Sequence, residues 1–401
     1  MRRIYYLILF ICTTVVLLQA IHPAWKDHLV FDVYTYFERS TYFINHLNLS
    51  NIANEYHPGA ITFFILLSPF LLINPSVEAF LNIILSANFI LIFLIAYMIK
   101  RLTASKNILI FSLLILFTGP IIFYRFELLV VCLTMASYYF FKKNLALVSI
   151  IFLGLAVLTK LYPIIYLPYF LFIRFKERGL KEFVKLSLVF CTFVVSFLLA
   201  YLSLLQIGLT EFIYSLNYHS AKPVGVEGVW ASIISLFSII TTGSPPTLVA
   251  GNRTWGVSTE NFFLPLWIID NFWILAIEII YLLVLSFKKS SKLLESILII
   301  TLTVLIFSKL SAPQYLIWFL FLLPLISFEK YLNNVRYTFL LLLSLSVAFL
   351  SQYIYPLNYD NFLQFFNNGS NSYLFYLNVF RNICLIFIFY ILVMKLNKNE
   401  D

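Results

Sequence analysis

The sequence predicts an all-α, polytopic transmembrane helical bundle. The chain has 401 residues, of which 62% are hydrophobic and only 11% are charged, and its mean hydropathy is +0.93. Soluble globular domains carry about 25% charged residues, so this composition lies far outside their range. The hydrophobic residues also form long runs, and a helix needs about 20 apolar residues to cross a bilayer. Composition and run length therefore exclude a soluble protein.

The basic residues predict the orientation of the helices. The 27 Lys and Arg residues outnumber the 18 Asp and Glu residues, which gives a net charge of +9. They occur in short clusters between apolar runs: Arg2-Arg3, Lys100-Arg101 with Lys106, Lys142-Lys143, Arg174 to Lys181, Lys288 to Lys292, Lys330 with Arg336, and Lys395 to Lys398. Such clusters mark cytoplasmic loops, and no nucleic-acid partner is expected.

With these clusters in the cytoplasm, the apolar segments pair into about twelve spans with both termini cytoplasmic. The predicted spans are residues 4–21, 78–99, 107–119, 121–141, 144–159, 161–175, 183–206, 261–286, 293–310, 313–328, 336–352 and 372–395. The first segment lacks a small-residue cleavage site, which favours a retained span over a signal peptide. We expect one membrane domain over residues 1–401.

Two large loops are predicted on the extracytoplasmic side, residues 22–77 and 207–260. Each contains an apolar stretch, 59–74 or 229–242, that is short for a crossing and does not fit the alternation of the spans. We expect both stretches to be interfacial or re-entrant helices at the outer face. The sequence shows no internal repeat of the kind that marks many transporters.

Asp32 is the first candidate for chemistry. It follows the first span in the segment Phe31-Asp32-Val33-Tyr34, with Asp27 close by. A carboxylate there is suited to act as general base on an acceptor hydroxyl. The alternative is an ordinary solvated acid in a loop.

Cations at the outer ends of the apolar runs are candidates to bind an anionic group. Lys160 and Lys309 interrupt such runs away from the cytoplasmic clusters, and either could contact a phosphate or simply snorkel to the interface. His219 and Lys222, in the second loop, could bind a phosphate or sugar hydroxyls, or belong to an amphipathic loop. Glu278 lies within an apolar run, which favours a transporter unless a neighbouring Tyr or Asn satisfies it.

Several motifs follow one another along most of the chain. They are Phe31-Asp32-Val33-Tyr34, Tyr56-His57-Pro58, Tyr124-Arg125-Phe126-Glu127, Leu153-Gly154 running to Lys160-Leu161-Tyr162-Pro163, Tyr218-His219 with Glu227, and Phe307 to Trp318 with Pro324 beyond it. This order resembles the GT-C superfamily of polytopic glycosyltransferases, most closely glycosyltransferase family 87. The last motif is also similar to the Ser-x-Gln-Tyr-x-x-Trp segment of the GPI mannosyltransferase I family, with Ala312-Pro313-Gln314 in place of Ser-x-Gln.

The resemblance implies a GT-C type bundle with a helical first external loop. It also implies a membrane glycosyltransferase that moves a hexose, most like mannose, from a polyprenyl- or dolichyl-phosphate sugar to a hydroxyl of a lipid or glycan, with inversion. The reaction is expected on the extracytoplasmic side of the cell (plasma) membrane. The alternative function is a polytopic transporter or a flippase for lipid-linked glycans.

The resemblance also implies roles for individual residues. The family's catalytic aspartate corresponds to Asp32, and Lys160, Lys309, Arg125 and His219 are expected to bind the donor phosphate. The substrate-binding candidates are Asp27, Tyr56, His57, Glu127, Tyr162, Lys222, Glu227, Gln314 and Tyr315. The chain departs from the family in having no Asp-x-Asp, which argues against a metal or other cofactor, and in having Glu127 where Asp is usual.

Overall fold

The computed structural model describes residues 2–49, 55–218, 220–286 and 293–396. The helices of the first half are α1 (Arg2–Ile21), α2 (Pro23–Leu29), α3 (Phe31–His46), α4 (Pro58–Leu67), α5 (Val77–Leu102), α6 (Asn107–Thr118), α7 (Ile121–Tyr124), α8 (Glu127–Lys142), α9 (Ala146–Thr159) and α10 (Leu167–Arg178). Those of the second half are α11 (Leu180–Leu204), α12 (Leu209–Asn217), α13 (Val229–Thr242), α14 (Leu266–Ser286), α15 (Leu293–Phe307), α16 (Ile317–Leu320), α17 (Phe328–Asn333), α18 (Val335–Gln352), α19 (Tyr359–Asn368) and α20 (Ser372–Leu396).

Long apolar helices account for about half of the predicted spans. Within the described ranges, 6 helices are long and apolar enough to cross a membrane: Arg3–Ile21, Val77–Leu102, Leu180–Leu204, Leu266–Leu285, Val335–Leu357 and Ser372–Met394. Shorter apolar helices cover both outer-face stretches and four of the other predicted spans, namely 107–119, 144–159, 293–310 and 313–328. The structure therefore supports a largely helical, multi-pass membrane protein. The count of about twelve spans and the cytoplasmic termini stay predictions.

Three predicted spans are not continuous helices. The span 121–141 is broken between α7 and α8. The span 161–175 begins as a 3₁₀ turn, Tyr162–Tyr166, before α10. The span 313–328 consists of two 3₁₀ turns, Pro313–Leu316 and Leu323–Leu325, around the four-residue helix α16. The last two begin with prolines near their first turn, and a proline removes a backbone donor and restricts the residue before it.

The chain separates into two compact units. The first unit comprises Leu17–Leu102 and Pro120–Tyr218, and the second comprises Met1–Val16, Thr103–Gly119 and His219–Asp401. The single domain over residues 1–401 stays a prediction.

A small antiparallel sheet in the second unit was not expected from the sequence, which predicts only helices. Its strands are β1 (Val224–Gly225), β2 (Leu248–Gly251) and β3 (Thr254–Val257). The central strand β3 pairs with both neighbours, since Val257 faces Val224 on one side and Leu248 on the other. The strands are too short to show a period-2 hydrophobic pattern, which explains why sequence reading missed them.

An aromatic core holds the sheet and the nearby helices of the second unit together. Trp230 of α13 is buried and donates from Nε1 to the Phe307 carbonyl at 2.9 Å. Phe365 of α19 stacks on Phe375 of α20 at 4.4 Å between ring centroids. Such rings bury a large apolar area, so this core fixes the position of the segment from β1 to α13.

Candidate active site

The break between α7 and α8 brings polar groups into the first unit. Arg125 has extended backbone angles (φ −120°, ψ 150°), and α8 starts anew at Glu127. A break leaves carbonyl groups without helical partners, and such groups must be satisfied inside a membrane protein. Asn88, buried on α5, donates to the carbonyls of Phe123 at 2.8 Å and Arg125 at 3.0 Å. Asn88 therefore satisfies the carbonyls at the break and stabilises this conformation of the chain.

Asp32 and Arg125 form an ion pair at this break. Asp32 is the second residue of α3, and its Oδ2 lies 2.5 Å from Arg125 Nη1. The Arg125 side chain is buried, whereas Asp32 keeps 29% of its side-chain surface exposed. The sequence prediction placed these residues among the catalytic and phosphate-binding groups, and the structure brings them into direct contact. The carboxylate remains reachable from solvent.

A second ion pair lies directly beside the first. Glu127 Oε1 is 2.6 Å from Lys160 Nζ, and both side chains are largely buried, at 3% and 15% exposure. The other carboxyl oxygen of Glu127 is buried and accepts no hydrogen bond from the described residues. The Lys160 ammonium also lies 5.2 Å from the centroid of the Phe126 ring. Because residues 125 to 127 are consecutive, one short segment connects both pairs.

Aromatic side chains surround the two ion pairs. Tyr36 stacks on Phe64 at 4.3 Å between centroids, and Tyr36 and Tyr56 both make edge contacts with Phe126. Burial, with a further contribution from the negative charge of Asp32, raises the pKa of Tyr36 and of Tyr56 well above the ordinary value. Both phenols therefore stay protonated at neutral pH.

His57 precedes α4 and is close to Lys160. Burial and, to a smaller extent, the positive charge of Lys160 lower the pKa of His57 to about 4. The close approach of α4 to the end of α9 requires Gly59, because a Cβ at this position would lie 2.7 Å from the Thr159 backbone nitrogen. His57 is therefore a neutral imidazole at physiological pH, suited to hydrogen bonding with a hydroxyl.

Two further residues complete the first unit's candidates. Tyr162, predicted to bind substrate, is buried in the 3₁₀ turn that follows Lys160. Asp27 lies in α2, and its side chain is outside the described residues. An ion pair that the sequence analysis did not single out joins Arg39 to Glu55 at 2.8 Å, and both partners are buried. This pair ties α3 to the segment before Tyr56.

In the second unit, Lys309 has two polar contacts. Its Nζ lies 2.9 Å from Asp270 Oδ1 of α14 and donates to the Ser220 carbonyl at 2.6 Å. Its backbone carbonyl accepts from Gly225 of β1 at 3.0 Å. These contacts give Lys309 a part in holding the 220–225 segment, and its predicted contact with the donor phosphate stays a prediction.

Glu227 is the second buried carboxyl group that the sequence singled out. Its Oε1 accepts a hydrogen bond from the Tyr359 hydroxyl at 2.8 Å. Burial raises the pKa of Glu227, against the opposing effects of the Tyr359 hydrogen bond, a backbone hydrogen bond and the charge of Arg381. Glu227 is thus positioned for hydrogen bonding inside the second unit.

The remaining predicted residues belong either to the broken span 313–328 or to the sequence between α12 and β1. Gln314 and Tyr315 occupy the 3₁₀ turn Pro313–Leu316, where Tyr315 stacks on Trp318 at 4.6 Å. Lys222 lies between the end of α12 and β1. His219 is outside the described residues, so its predicted role stays a prediction.

The arrangement in the first unit can support acid–base chemistry beside an anion. A partly exposed carboxylate, Asp32, lies next to one guanidinium, and a largely buried ammonium lies next to a second carboxylate. Among the described residues, no group of three or more His, Cys, Asp or Glu side chains could hold a metal ion. The expected independence from metal stays a prediction.

Several residues of the two sites were missed from the sequence. Asn88 and Arg381 each interrupt a long apolar run, and a polar residue inside a span is the signal that could have found them. Asp270 and Tyr359 lie at the edges of spans, where polar residues are common. Glu278, the residue that favoured a transporter, is on the exposed face of α14, and that position gives no support to an internal transport path.

Comparison with known proteins adds one relationship. No protein-family model matches the chain. Over 249 residues the chain is 28% identical to GPI mannosyltransferase 1 of Dictyostelium discoideum, which covers 53% of this chain and 51% of that protein. The chain is similar to a GPI mannosyltransferase. It spans about half the length of this relative, and the similarity supports the glycosyltransferase expected from the sequence motifs over the transporter.

Proposed function

We propose that this protein is a membrane mannosyltransferase of the GT-C type. It transfers a mannose-like hexose from a polyprenyl- or dolichyl-phosphate sugar to a hydroxyl of a lipid or glycan acceptor, with inversion, on the extracytoplasmic side of the cell (plasma) membrane. The similarity to a GPI mannosyltransferase supports the sugar and the class of reaction. The donor, the acceptor class and the side of the membrane rest on the sequence motifs and on the predicted orientation.

The observation that carries this proposal is the pair of ion pairs at the helix break. Asp32 is partly exposed and contacts Arg125 at 2.5 Å, while Lys160 is held at 2.6 Å by the buried Glu127. Two cations beside one accessible carboxylate match a reaction in which a base removes a proton while an anionic leaving group departs.

The reaction proceeds in one displacement. Asp32 accepts the proton of the acceptor hydroxyl, and the hydroxyl oxygen forms a bond to the anomeric carbon from the face opposite the phosphate. The bond from that carbon to the phosphate oxygen breaks, and the lipid phosphate leaves with the electron pair. The leaving phosphate gains one negative charge, and Arg125 and Lys160 stabilise it by charge-assisted hydrogen bonds.

The Asp32–Arg125 pair also gives a reason for donor binding to precede catalysis. In this structure the guanidinium contacts Asp32 Oδ2. A phosphate competes with this carboxylate for the guanidinium, because arginine binds both groups with the same planar set of donors. When the phosphate takes the guanidinium, Asp32 Oδ2 is released to accept a hydrogen bond from the acceptor hydroxyl.

The test is the Asp32→Asn variant, purified in nanodiscs and supplied with dolichyl-phosphate mannose and a glycolipid acceptor. Loss of the general base should lower transfer by about 10²- to 10⁴-fold. It should also lower the melting temperature, because Asp32 is the ion-pair partner of the buried Arg125 side chain, and transfer is therefore measured below the melting temperature of the variant. The matched control is Glu38→Gln, which removes another exposed acid of the same helix α3. We expect the control to keep transfer within about twofold of wild type.

Two results would overturn the proposal. One is wild-type turnover by Asp32→Asn with the lipid-linked donor. The other is efficient transfer from a nucleotide sugar with no lipid-linked donor present.

A further inference from the structure

A cavity of about 200 Å³ lies beside the sheet of the second unit. It is lined by the C-terminal part of α13, by residues 244–247, and by Ser258 with residues 260–262 after β3. A water molecule takes up about 30 Å³ in the liquid, so the cavity has room for a group the size of one sugar ring. The described residues that line it are all different from those assigned above to catalysis or substrate binding.

Part of the lining is apolar. Phe237 of α13 and Phe262 contact each other edge to face, with 5.4 Å between the ring centroids. Ile234, one turn before Phe237, is buried, and so is Pro246. Ligand sites commonly combine such apolar and aromatic surfaces with a few polar groups. The apolar part of this cavity suits the C–H face of a sugar ring.

Hydroxyl groups at the end of α13 form another part of the lining. Ser238 Oγ donates to the Ser244 carbonyl at 2.9 Å, and Thr242 Oγ1 lies 3.1 Å from Ser244 Oγ. These contacts hold the three side chains in place. A hydroxyl has one proton and two acceptor lone pairs, so this network keeps capacity for hydrogen bonds to a ligand.

Glu260 and Asn261 supply the open polar groups of the cavity. Both residues are exposed, and neither side chain makes a hydrogen bond or an ion pair within the part of the chain that the structure describes. The backbone of Glu260 is tied to the end of β3, because its N–H lies 3.4 Å from Ser258 Oγ. A carboxylate accepts hydrogen bonds and an amide both donates and accepts them. Together they match the hydroxyl groups of a sugar.

The charge of the lining distinguishes this cavity from a phosphate site. Among the described residues that line it, none is a lysine, an arginine or a histidine, and Glu260 supplies a negative charge. A carboxylate without a neighbouring cation repels a phosphate. The described residues also contain no group of three or more acidic, His or Cys side chains that could hold a metal ion. The cavity therefore favours an uncharged group rich in hydroxyls.

We propose that this cavity binds a sugar ring of the acceptor. The proposal rests on the proposed function and narrows its acceptor to a glycan or a glycolipid. The donor sugar is attached to a phosphate, for which the lining has no cation, whereas an acceptor glycan presents neutral hydroxyls. Phe237 and Phe262 contact the C–H face of the ring, and Glu260 and Asn261 bind its hydroxyls. Most of the lining belongs to the loop 207–260, which is predicted on the side where transfer is expected.

The test follows the Glu260 carboxylate by chemical labelling of the protein in nanodiscs. A water-soluble carbodiimide with glycine ethyl ester converts exposed carboxylates to amides, and peptide mass spectrometry gives the rate at each position. Methyl α-mannoside and methyl α-glucoside are the probes. At about twice its Kd, a bound glycoside should lower the rate at Glu260 about threefold, because the free fraction falls by 1 + [L]/Kd. Glu78, exposed on α5, is the internal control, and its rate should not change.

Two tryptophan variants locate the effect. Thr247→Trp fills the cavity, since Thr247 is an exposed residue of its lining. Ala250→Trp adds the same ring at an exposed position of β2 that does not line the cavity. We expect Thr247→Trp to raise the Kd of the glycoside, measured by protection of Glu260, about tenfold or more. Ala250→Trp should stay within about twofold of wild type.

A pair of threonines provides smaller changes, which keep the test open if Thr247→Trp does not accumulate. Thr241 and Thr242 are both exposed, and each donates to the carbonyl four residues earlier at 2.8 Å. Only Thr242 lines the cavity. We expect Thr242→Ala to raise the Kd of the glycoside about threefold or more and Thr241→Ala to leave it unchanged, since only the first removes a hydroxyl from the lining.

The outcomes separate this proposal from the proposed function. Protection of Glu260 that is lost in Thr247→Trp, with no transfer by the wild-type protein, would contradict the proposed function and leave the sugar site standing. Failure of both glycosides to protect Glu260, or equal protection in Thr247→Trp and Ala250→Trp, would overturn the sugar site even if transfer is confirmed. Protection by dolichyl-phosphate mannose alone would overturn the assignment to the acceptor.

Discussion

The protonation state of His57 is set by the groups around it in the folded protein. Burial and the charge of Lys160 lower the pKa of His57 to about 4, from an ordinary value of 6.5. Between these two values the unfolded chain binds a proton that the folded protein does not. His57 therefore contributes stability that is fully present above pH 6.5 and is lost as the pH falls toward 4.

We predict that His57→Gln makes the protein less sensitive to acid. Between pH 6.5 and pH 4 the wild-type melting temperature should fall further than that of the variant, because glutamine does not titrate. Thermal unfolding in nanodiscs across this range measures the difference. If the melting temperatures of both proteins fall equally, protonation of His57 does not contribute to the acid sensitivity of the protein.

The pKa shift of Glu227 makes stability depend on pH in the opposite direction to that of His57. Burial raises its pKa above the ordinary value of 4.5, so its contribution to stability is present below that value and is lost as the pH rises through the folded-state pKa. The two residues therefore act in opposite directions on the stability of the whole chain. Comparison of His57→Gln and of Glu227→Gln with wild type separates their contributions.

At the scale of single elements, buried asparagines stabilise the breaks between helices. Asn88 satisfies the carbonyls left at the α7–α8 break, and Asn107 does the same for those at Pro324 and Ile326. Inside a membrane, a carbonyl without a hydrogen-bond donor costs several kcal/mol, because no water is present to donate to it. Each buried asparagine therefore makes an irregular segment possible.

We predict that Asn88→Ala lowers the free energy of unfolding by about 1–3 kcal/mol, the range for a buried group left unsatisfied. It should also reduce transfer strongly, because the break positions Arg125 against Asp32 and Glu127 against Lys160. Ser86→Ala is the matched control, since Ser86 lies on the same helix, is exposed and donates to the Asn82 carbonyl at 2.8 Å within that helix. Equal activity of the two variants would contradict a role for the break in the site.

At the scale of the whole molecule, the long helices expose apolar side chains. On α11, Leu188 and Leu199 are 62% and 63% exposed, and on α5 Ile90 is 60% exposed. Patches of this kind on a soluble protein would cause aggregation, whereas lipid solvates them. The surface of the protein therefore agrees with a bilayer environment.

The orientation in the membrane gives a whole-molecule prediction. Ala24 and Ala104 are both exposed, and the distribution of basic residues predicts that they lie on opposite sides of the membrane. In a background without the native cysteines, Ala24→Cys should react with an impermeant maleimide in sealed right-side-out vesicles. Ala104→Cys should react only after permeabilisation, and the reverse pattern would invert the topology.

The sequence by itself determined the class of the protein and supplied candidates for its site. Hydropathy and basic clusters are local properties, so the positions of the helices could be predicted from them, and the motifs identified Asp32, Arg125, Glu127 and Lys160 as candidates. The sheet β1–β3 and the breaks in three predicted spans could not be predicted, because short strands and irregular turns carry no periodic signal.

Only the tertiary structure decided which of these residues are partners. Asp32 pairs with Arg125 and Glu127 with Lys160 because α3, α8 and α9 converge at the break, and nothing in the local sequence specifies that meeting. The same holds for Asp270 with Lys309 and for Tyr359 with Glu227. The free energy of a buried ion pair or hydrogen bond depends on distance and desolvation, and packing between distant segments sets both.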